Sequence, residues 1–277
     1  MTDKSQLRAF MQNIDLDTEA QELLCRLEMS SQEYARWKNL LLTDEQTFFQ
    51  EINQTADGKL KLLYIYVRCG MDMHESYQSE GVPDEVFFHT FHDISIWSSW
   101  AKRYLGDYTM AEAPWFTRLF HMKLFRFGAL EFERAQADRA FTWSGGHIDE
   151  GQQVIGVHIP EGGPLDPLSC DESFAAAEKF FGPEYALYTC DSWLTSPVVL
   201  NLVSPQSNIY QFQKRFEIVD ITYPFPLAEQ RVWGTVEADK NRYPENTSLQ
   251  KNLKHYLLKG GRVGMGLGVM ARPALEV

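Results

Sequence analysis

Basic charge is scarce in this sequence and nowhere concentrated. Its 277 residues hold 26 Lys and Arg against 38 Asp and Glu, a formal charge of −12. No basic cluster exceeds Lys214-Arg215. A protein that grips DNA or RNA displaces counterions with a basic face, and one held on an anionic membrane needs a basic patch. Neither partner is expected here; the acidity serves solubility. Long apolar runs are missing too. The most apolar short stretch, Leu62 to Val67, is flanked by Lys61 and Arg68, and a bilayer span takes about 20 apolar residues. Met1 to Gln6 lacks the basic region and apolar core of a secretory signal. Cysteine is sparse: Cys25, Cys69, Cys170 and Cys190 form no C-x-x-C pair, which reads as reduced thiols in the cytoplasm. There is no internal repeat and no low-complexity segment. With 44% hydrophobic and 23% charged residues, the chain can bury a core, so disorder as a whole is not expected.

What is present divides into two textures. Residues 5 to 118 read as helices. Ser30 with Glu33, and Thr43 with Gln46, fit capping boxes. Pro83 before Asp84 and Glu85 suits a helix first turn. Phe87, Phe91, Ile94, Trp97, Ala101 and Leu105 then recur every three or four residues, one apolar face of a long helix. Leu60 to Met73 reads as a buried helix. His89 and His92 read as helix-surface or interface residues, and Trp97 and Trp100 as core.

From residue 119 the period changes to that of strands. Met122 to Phe132 reads as one strand with a bulge at Gly128. Phe141 to Trp143, Val154 to Ile159, Tyr185 to Cys190, Glu217 to Thr222 and Val263 to Met270 follow as strands. Helices are expected at Ser173 to Phe181, Pro197 to Val203, Asn208 to Phe212 and Leu249 to Leu258. The boundary falls between Gly106 and Phe120 without a flexible linker, so the two parts are expected to pack together. The fold class is α+β: a helical domain over 1–118 and a mixed α/β domain over 119–277, with any chemistry in the second.

The most informative stretch runs from Val157 through His158, Ile159, Pro160, Glu161, Gly162 and Gly163 to Pro164 and Leu165. A strand, a glycine loop and a helix start bring backbone N–H groups and a positive helix end to one place, which suits an anion. A glycine pair there is equally what a plain turn needs. His158 and Glu161 lie at the strand end, where catalytic groups commonly sit, although a hydrogen-bonded structural histidine would look the same. His147, Asp149, Glu150, His158 and Glu161 include metal-ligand types, but no spacing matches H-E-x-x-H or a closed zinc pattern, and no metal is expected. Cys190-Asp191-Ser192-Trp193 closes the next strand. Cys190 there is a nucleophile or a small core residue, and Ser192, outside any G-x-S-x-G setting, is at most a hydroxyl donor. The glycine-rich run Gly260 to Gly268 follows a helix rather than a strand, so a dinucleotide fingerprint fails on context; a helix cap and a closely approached strand remain.

Three strings together, His158-Ile159-Pro160-Glu161-Gly162-Gly163-Pro164-Leu165, Cys190-Asp191-Ser192-Trp193-Leu194 and Ser207-Asn208-Ile209, resemble the bacterial acyltransferase-domain proteins. Those pair a helical N-terminal domain with a GNAT-like C-terminal domain. Leu124 to Gly128 and Glu131-Phe132-Glu133 are similar to them too. The resemblance implies an N-acyltransferase that uses acyl-CoA or acetyl-CoA as co-substrate and acts on a small-molecule amine; the alternative is a non-catalytic ligand-binding or interaction module of the same fold. It implies that the Val154 to Ile159 strand, the Gly162-Gly163 loop and the Ser173 helix hold the pyrophosphate. The strand from Tyr185 to Cys190 would then splay from the first to admit the pantetheine arm. Glu161 and His158 are candidate bases, Ser192 and Tyr210 candidate proton donors to the leaving thiolate. Ile159, Gly162 and Gly163 would contact the coenzyme. One departure stands out. No Lys or Arg occurs from Ala140 to Glu178, so charge for the pyrophosphate would come from Lys214, Arg215 or Arg262.

Overall fold

The structure is a computed structural model and describes residues 4–273. It divides into two compact units, Met1–Arg126 and Phe127–Val277.

The first unit is helical: α1 (Lys4–Asn13), α2 (Thr18–Arg26), α3 (Ser31–Thr43), α4 (Glu45–Ile52), α5 (Gly58–Ser79), α6 (Asp84–Phe91), α7 (Asp93–Leu105) and the short α8 (Ala113–Phe116). Residues 1–3 of the expected helical stretch lie outside the described residues. The long α5 is buried from Leu62 to Gly70. At Gly70 the rings of Phe10 and Phe91 approach so closely that a β-carbon would meet both at 2.8 Å. Phe87, Phe91, Ile94, Trp97 and Ala101 are buried. The expected single helix over them is two, with the break at His92. There His92 Nδ1 lies 2.8 Å from the Ile14 carbonyl oxygen, which also accepts from Ser95 Oγ at 2.6 Å. Leu105 does not join the apolar face: it is exposed in the last turn, before Gly106 swings the chain away at φ 84°. Ser30 caps α3 by accepting from the Glu33 N–H. The second expected cap is displaced: Asp44, not Thr43, accepts from the Thr47 N–H, while Thr43 Oγ1 bonds back to the Asn39 carbonyl.

Strands begin at residue 124. They are β1 (Leu124–Phe127), β2 (Leu130–Gln136), β3 (Phe141–Trp143), β4 (Gly146–Ile148), β5 (Gln153–His158), β6 (Leu187–Ser192), β7 (Glu217–Thr222) and β8 (Met265–Ala271). One six-stranded sheet has the order β1-β2-β5-β6-β8-β7, and β3 with β4 forms a separate hairpin. The expected single strand with a bulge at Gly128 is instead two strands, because Gly128 takes φ 62° in the turn between them.

Between β5 and β6 runs α9 (Pro167–Phe180). It starts six residues before the expected Ser173 because Asp166 caps the Ser169 N–H at 3.0 Å and Pro167 occupies the first turn. One sheet face packs against α9 through Phe132, Phe174 and Tyr188, with ring centroids 5.0–5.9 Å apart. The other face packs Val154, Leu187 and Val269 under Phe141 and Trp143 of the β3–β4 hairpin. After β6 come α10 (Asn208–Gln213), α11 (Leu227–Trp233), which the sequence reading does not anticipate, and α12 (Ser248–Leu258). The expected Pro197 helix is a 3-10 helix of five residues.

Candidate active site

Strand β5 has a complete partner on one side. It pairs β2 antiparallel over six residue pairs, Glu131↔His158 through Gln136↔Gln153. On its other side it pairs β6 in parallel at only two positions, Ile155↔Tyr188 and Gly156↔Thr189. Both strands continue beyond that point, β5 to His158 and β6 to Ser192, without further ladder pairs. The parallel pair therefore opens toward its C-terminal ends.

The register fixes which side chains share a face beside the opening. Successive residues alternate between faces, so Glu131, Glu133, His158 and Asp191 share the face opposite α9. His158 Nε2 and Glu133 Oε2 are 2.9 Å apart. Glu133 pairs in the ladder with Gly156, and the imidazole reaches it across that bare backbone. A β-carbon at position 156 would stand 3.3 Å from both Glu133 Cβ and His158 Nε2. Both side chains are largely shielded, with 26% of His158 and 13% of Glu133 accessible, so solvent screens the pair little.

Asp191 lies one residue past buried Cys190 on β6. Its carboxyl is pushed above the usual range, chiefly by crowding out of water, then by the like charges of Asp138 and Asp220, against the pull of Arg139 and His158. The residue is exposed at the surface, yet protein surrounds the carboxyl closely enough to raise it. Burial also pushes the Cys190 thiol well up, which leaves it a core residue without thiolate character.

Residues 124–270 match the model of the GNAT-like C-terminal domain, and residues 5–122 match the N-acyltransferase N-terminal domain. The chain belongs to the GNAT-like C-terminal domain family. No curated protein matches it in sequence. Among solved structures it is similar to an acyltransferase in complex with decanoyl-CoA and teicoplanin, at TM-score 0.78 and 20% identity over 96% of this chain and 87% of that one. It is similar also to an acyltransferase in complex with CoA and 10C-teicoplanin, at TM-score 0.76, 20% identity and the same coverage. A third, in complex with decanoyl-CoA alone, gives TM-score 0.78 at 18% identity over 96% and 87%. At these identities the likeness is one of fold.

In this GNAT-like domain the expected site residues fall as follows. His158 ends β5, and Glu161 and Gly162 are exposed just beyond it. Residues 160–163 form a turn closed by the Gly163 N–H donating to the Pro160 carbonyl at 3.3 Å, with Gly162 at φ 72°. One amide expected to cradle an anion is thus spent on the turn. Ser192 Oγ accepts from the Leu194 N–H at 3.2 Å and starts a 3-10 turn. Tyr210 is half-buried on α10, and Lys214 just after it is exposed. Arg215 reaches the start of α9, pairing with Asp171 at 2.5 Å and the Pro167 carbonyl at 3.0 Å.

That contact answers the acidity of the loop. Asp171 is neutralised by Arg215, and Asp166 is held below the usual carboxylate range by bonds from Ser169 as it caps α9. His147 joins none of this: it lies beside Thr142 and Asp149 on the hairpin. Among the described residues no three His, Cys, Asp or Glu side chains converge as metal ligands, and no helix is long and apolar enough to cross a membrane. Sequence reasoning missed Glu133 and Asp191 as site residues. The signals were a glycine inside an apolar strand and two acids alternating on β2.

Proposed function

We propose that this chain is an N-acyltransferase that moves an acyl group from an acyl-coenzyme A thioester to the amine of a small-molecule acceptor. The observation that carries the reading is the opening of β5 from β6 with the His158–Glu133 pair at its mouth. Two strands that part leave backbone groups without ladder partners, and an amide-rich pantetheine arm can satisfy them. The solved neighbours that bind CoA thioesters support the co-substrate. Its pyrophosphate would sit toward the start of α9, where Arg215 cancels the charge of Asp171 and exposed Lys214 is the candidate for the positive charge that residues 140–178 lack. The catalytic domain is the segment 119–277, and the setting is cytoplasmic, in keeping with four free cysteines.

The chemistry needs three proton transfers. An acceptor arriving as an ammonium ion is not nucleophilic. His158 takes its proton, and Glu133 holds the imidazole in place and stabilises the imidazolium that forms. The amine nitrogen then attacks the thioester carbonyl carbon, whose oxygen is polarised by a strand N–H at the opening. Collapse of the tetrahedral intermediate breaks the carbon–sulfur bond, forms the amide and gives a thiolate. That thiolate takes a proton from Tyr210 or Ser192, the amide nitrogen gives up its second proton to solvent, and the cycle closes as His158 releases its proton and the hydroxyl donor regains one, both through solvent. Glu161, exposed on the turn, is the second candidate base. Transfer is direct, since Cys190 is no nucleophile.

The test uses the full chain. Calorimetry with acetyl-, octanoyl- and decanoyl-CoA measures binding, and thiol release with a panel of primary amines measures transfer. Saturable thioester binding with amine-dependent thiol release is expected. Binding without release would make the chain a non-catalytic ligand-binding module, and failure of every thioester to bind at millimolar concentration would remove the acyl-CoA reading.

A further inference from the structure

A cavity of about 180 Å³ lies where β7 ends and β8 begins, lined by Tyr223, Phe225, Glu229, Lys240, Leu257 and Arg262 among others. The ladder pairs Thr222↔Met265 and Ser192↔Gly266 put this mouth at the same sheet edge as the C-terminal ends of the parallel strands, where ligands collect in α/β folds. It shares no residue with the His158 site.

Its charges do not cancel. Glu229 is buried and accepts from Tyr243 Oη at 2.5 Å and from Lys240. Lys240 also donates to the Glu237 carbonyl at 2.7 Å, so that pair is internally neutral and pinned. Arg262 is different. Its guanidinium stands 4.9 Å from the centre of the Tyr223 ring, and among the described residues it has no carboxylate partner. In a chain of charge −12, a cavity with one uncompensated cation is an exception to explain.

Two further features shape the mouth. Tyr223 and Phe225 are 48% and 50% exposed, large aromatic faces left in water on its rim. The loop presenting Arg262 is built to be tight: Gly260 takes φ 81°, and the Gly261 N–H donates to the Tyr256 carbonyl at 3.0 Å in the α12 cap. Tyr256 Oη donates to the Arg262 carbonyl at 3.3 Å. The Arg262 backbone is held while its side chain is left over the ring.

We infer that this cavity binds the carboxylate of an aryl acid, with the carboxylate on Arg262 and the ring against Tyr223 and Phe225. The guanidinium fork matches a planar carboxylate. One unmatched positive charge calls for a monoanion rather than a phosphate dianion. The volume is below the roughly 300 Å³ at which pockets for drug-sized ligands begin, which suits one ring with its acid group. The inference does not depend on the acyl-transfer reading, and its test uses no thioester.

The probe is phenylacetate, with its neutral isostere phenylacetamide as control, titrated into the full chain carrying ¹⁵N-arginine. Arg262→Gln identifies the Arg262 Nε–Hε resonance by its loss; the exposed side chain makes this variant safe for the fold, which circular dichroism checks. A saturable shift of that resonance with phenylacetate and none with phenylacetamide is expected. By ligand-detected saturation transfer, Arg262→Gln should weaken binding about tenfold, the worth of one charge-assisted contact, and Tyr223→Ala should weaken it several-fold through loss of the ring contact. Unchanged binding in Arg262→Gln, an equal response to the amide, or displacement of phenylacetate by free coenzyme A would each overturn the inference, the last by giving the cavity to the coenzyme.

Discussion

Strand β5 is a ladder on one edge and a door on the other. Against β2 it keeps six pairs, and β6 keeps six against β8. Between themselves the two strands keep two. Neither strand is short or irregular on its outer side, so the gap is not fraying. Unpaired backbone groups are costly where water is excluded, and a gap at the centre of the sheet is where the proposed ligand would satisfy them. The outer ladders supply rigidity and the inner one supplies access.

The first way to break this comparison is at its polar end. If the gap is where transfer occurs, His158→Gln should lower turnover by about 10²–10⁴-fold, the usual worth of a general base, with thioester affinity and melting temperature close to those of the parent. Steady-state thiol release with calorimetry measures both. Equal loss of affinity and turnover would make His158 a binding group rather than the base.

The converse control lies in the helical unit. Trp97 is buried and packs against Trp100 and Phe116 at 5.9 and 5.8 Å between ring centroids. Trp97→Ala should cost about 3–5 kcal/mol of stability as large core aromatics do, read by denaturant unfolding. Stability would fall here and activity at His158; a variant set that failed to separate the two would show that the gap is an ordinary part of the core.

The link between ladder and gap is Glu133, and it sharpens the comparison further. Glu133→Gln keeps shape but loses the charge behind His158, and turnover should fall about 10–100-fold, as when a carboxylate that orients a working imidazole is removed. Gly156→Val should give a similar loss by wedging a side chain between the two, with the six-pair ladder intact by amide exchange. Activity unchanged in both would mean that Glu133 merely shares the face.

How much of this could be read from the sequence follows the same division between local and long-range. The helical first unit was legible because its signals are local: apolar spacing and the Ser30 cap. The splay was legible only through resemblance and the order of the strands was not read at all, since two-pair and six-pair ladders leave no mark in local periodicity. Local signals were also misread where two competed. Asp166-Pro167 is a helix start, but the prolines around it read as loop, and Asp44 displaced Thr43 as a cap one residue on. Glu133 was missed for a different reason: the glycine in β5 and the alternating acids of β2 do not say which residues face each other. Its partner lies 25 residues away, and only the β2–β5 register sets it across from Gly156. The Pro160–Gly163 turn shows the limit of motif reasoning: the glycines are real, but one amide closes the turn.

A smaller effect tests a cap in the helical unit, where no ligand is involved. Asp17 accepts from the Glu19 N–H at 2.8 Å and from Tyr108 Oη at 2.5 Å. Its carboxyl is held below the ordinary range, first by the Tyr108 hydroxyl. Asp17→Ala should cost about 1 kcal/mol, the typical worth of an N-cap. A depressed folded value means stability present above the unfolded value of about 3.8 and lost as pH falls through the folded one. The difference between parent and variant in urea unfolding should therefore shrink below that pH.

The smallest expected effect has the opposite sign and sits at the gap. Asp191 is raised, chiefly by crowding out of water and then by Asp138 and Asp220. A raised carboxyl binds its proton more tightly in the folded chain than in the unfolded one. Its contribution is therefore favourable at low pH and is lost as pH rises from the unfolded value through the folded one. At neutral pH the ionised group works against the fold. Asp191→Asn should accordingly raise the melting temperature slightly at pH 7, and the gain should vanish as pH falls below the unfolded carboxylate value of about 3.8. A variant less stable than the parent at pH 7 would show that Asp191 is stabilised by contacts rather than strained by its neighbours. The opening would then be held by Asp191 rather than merely bordered by it.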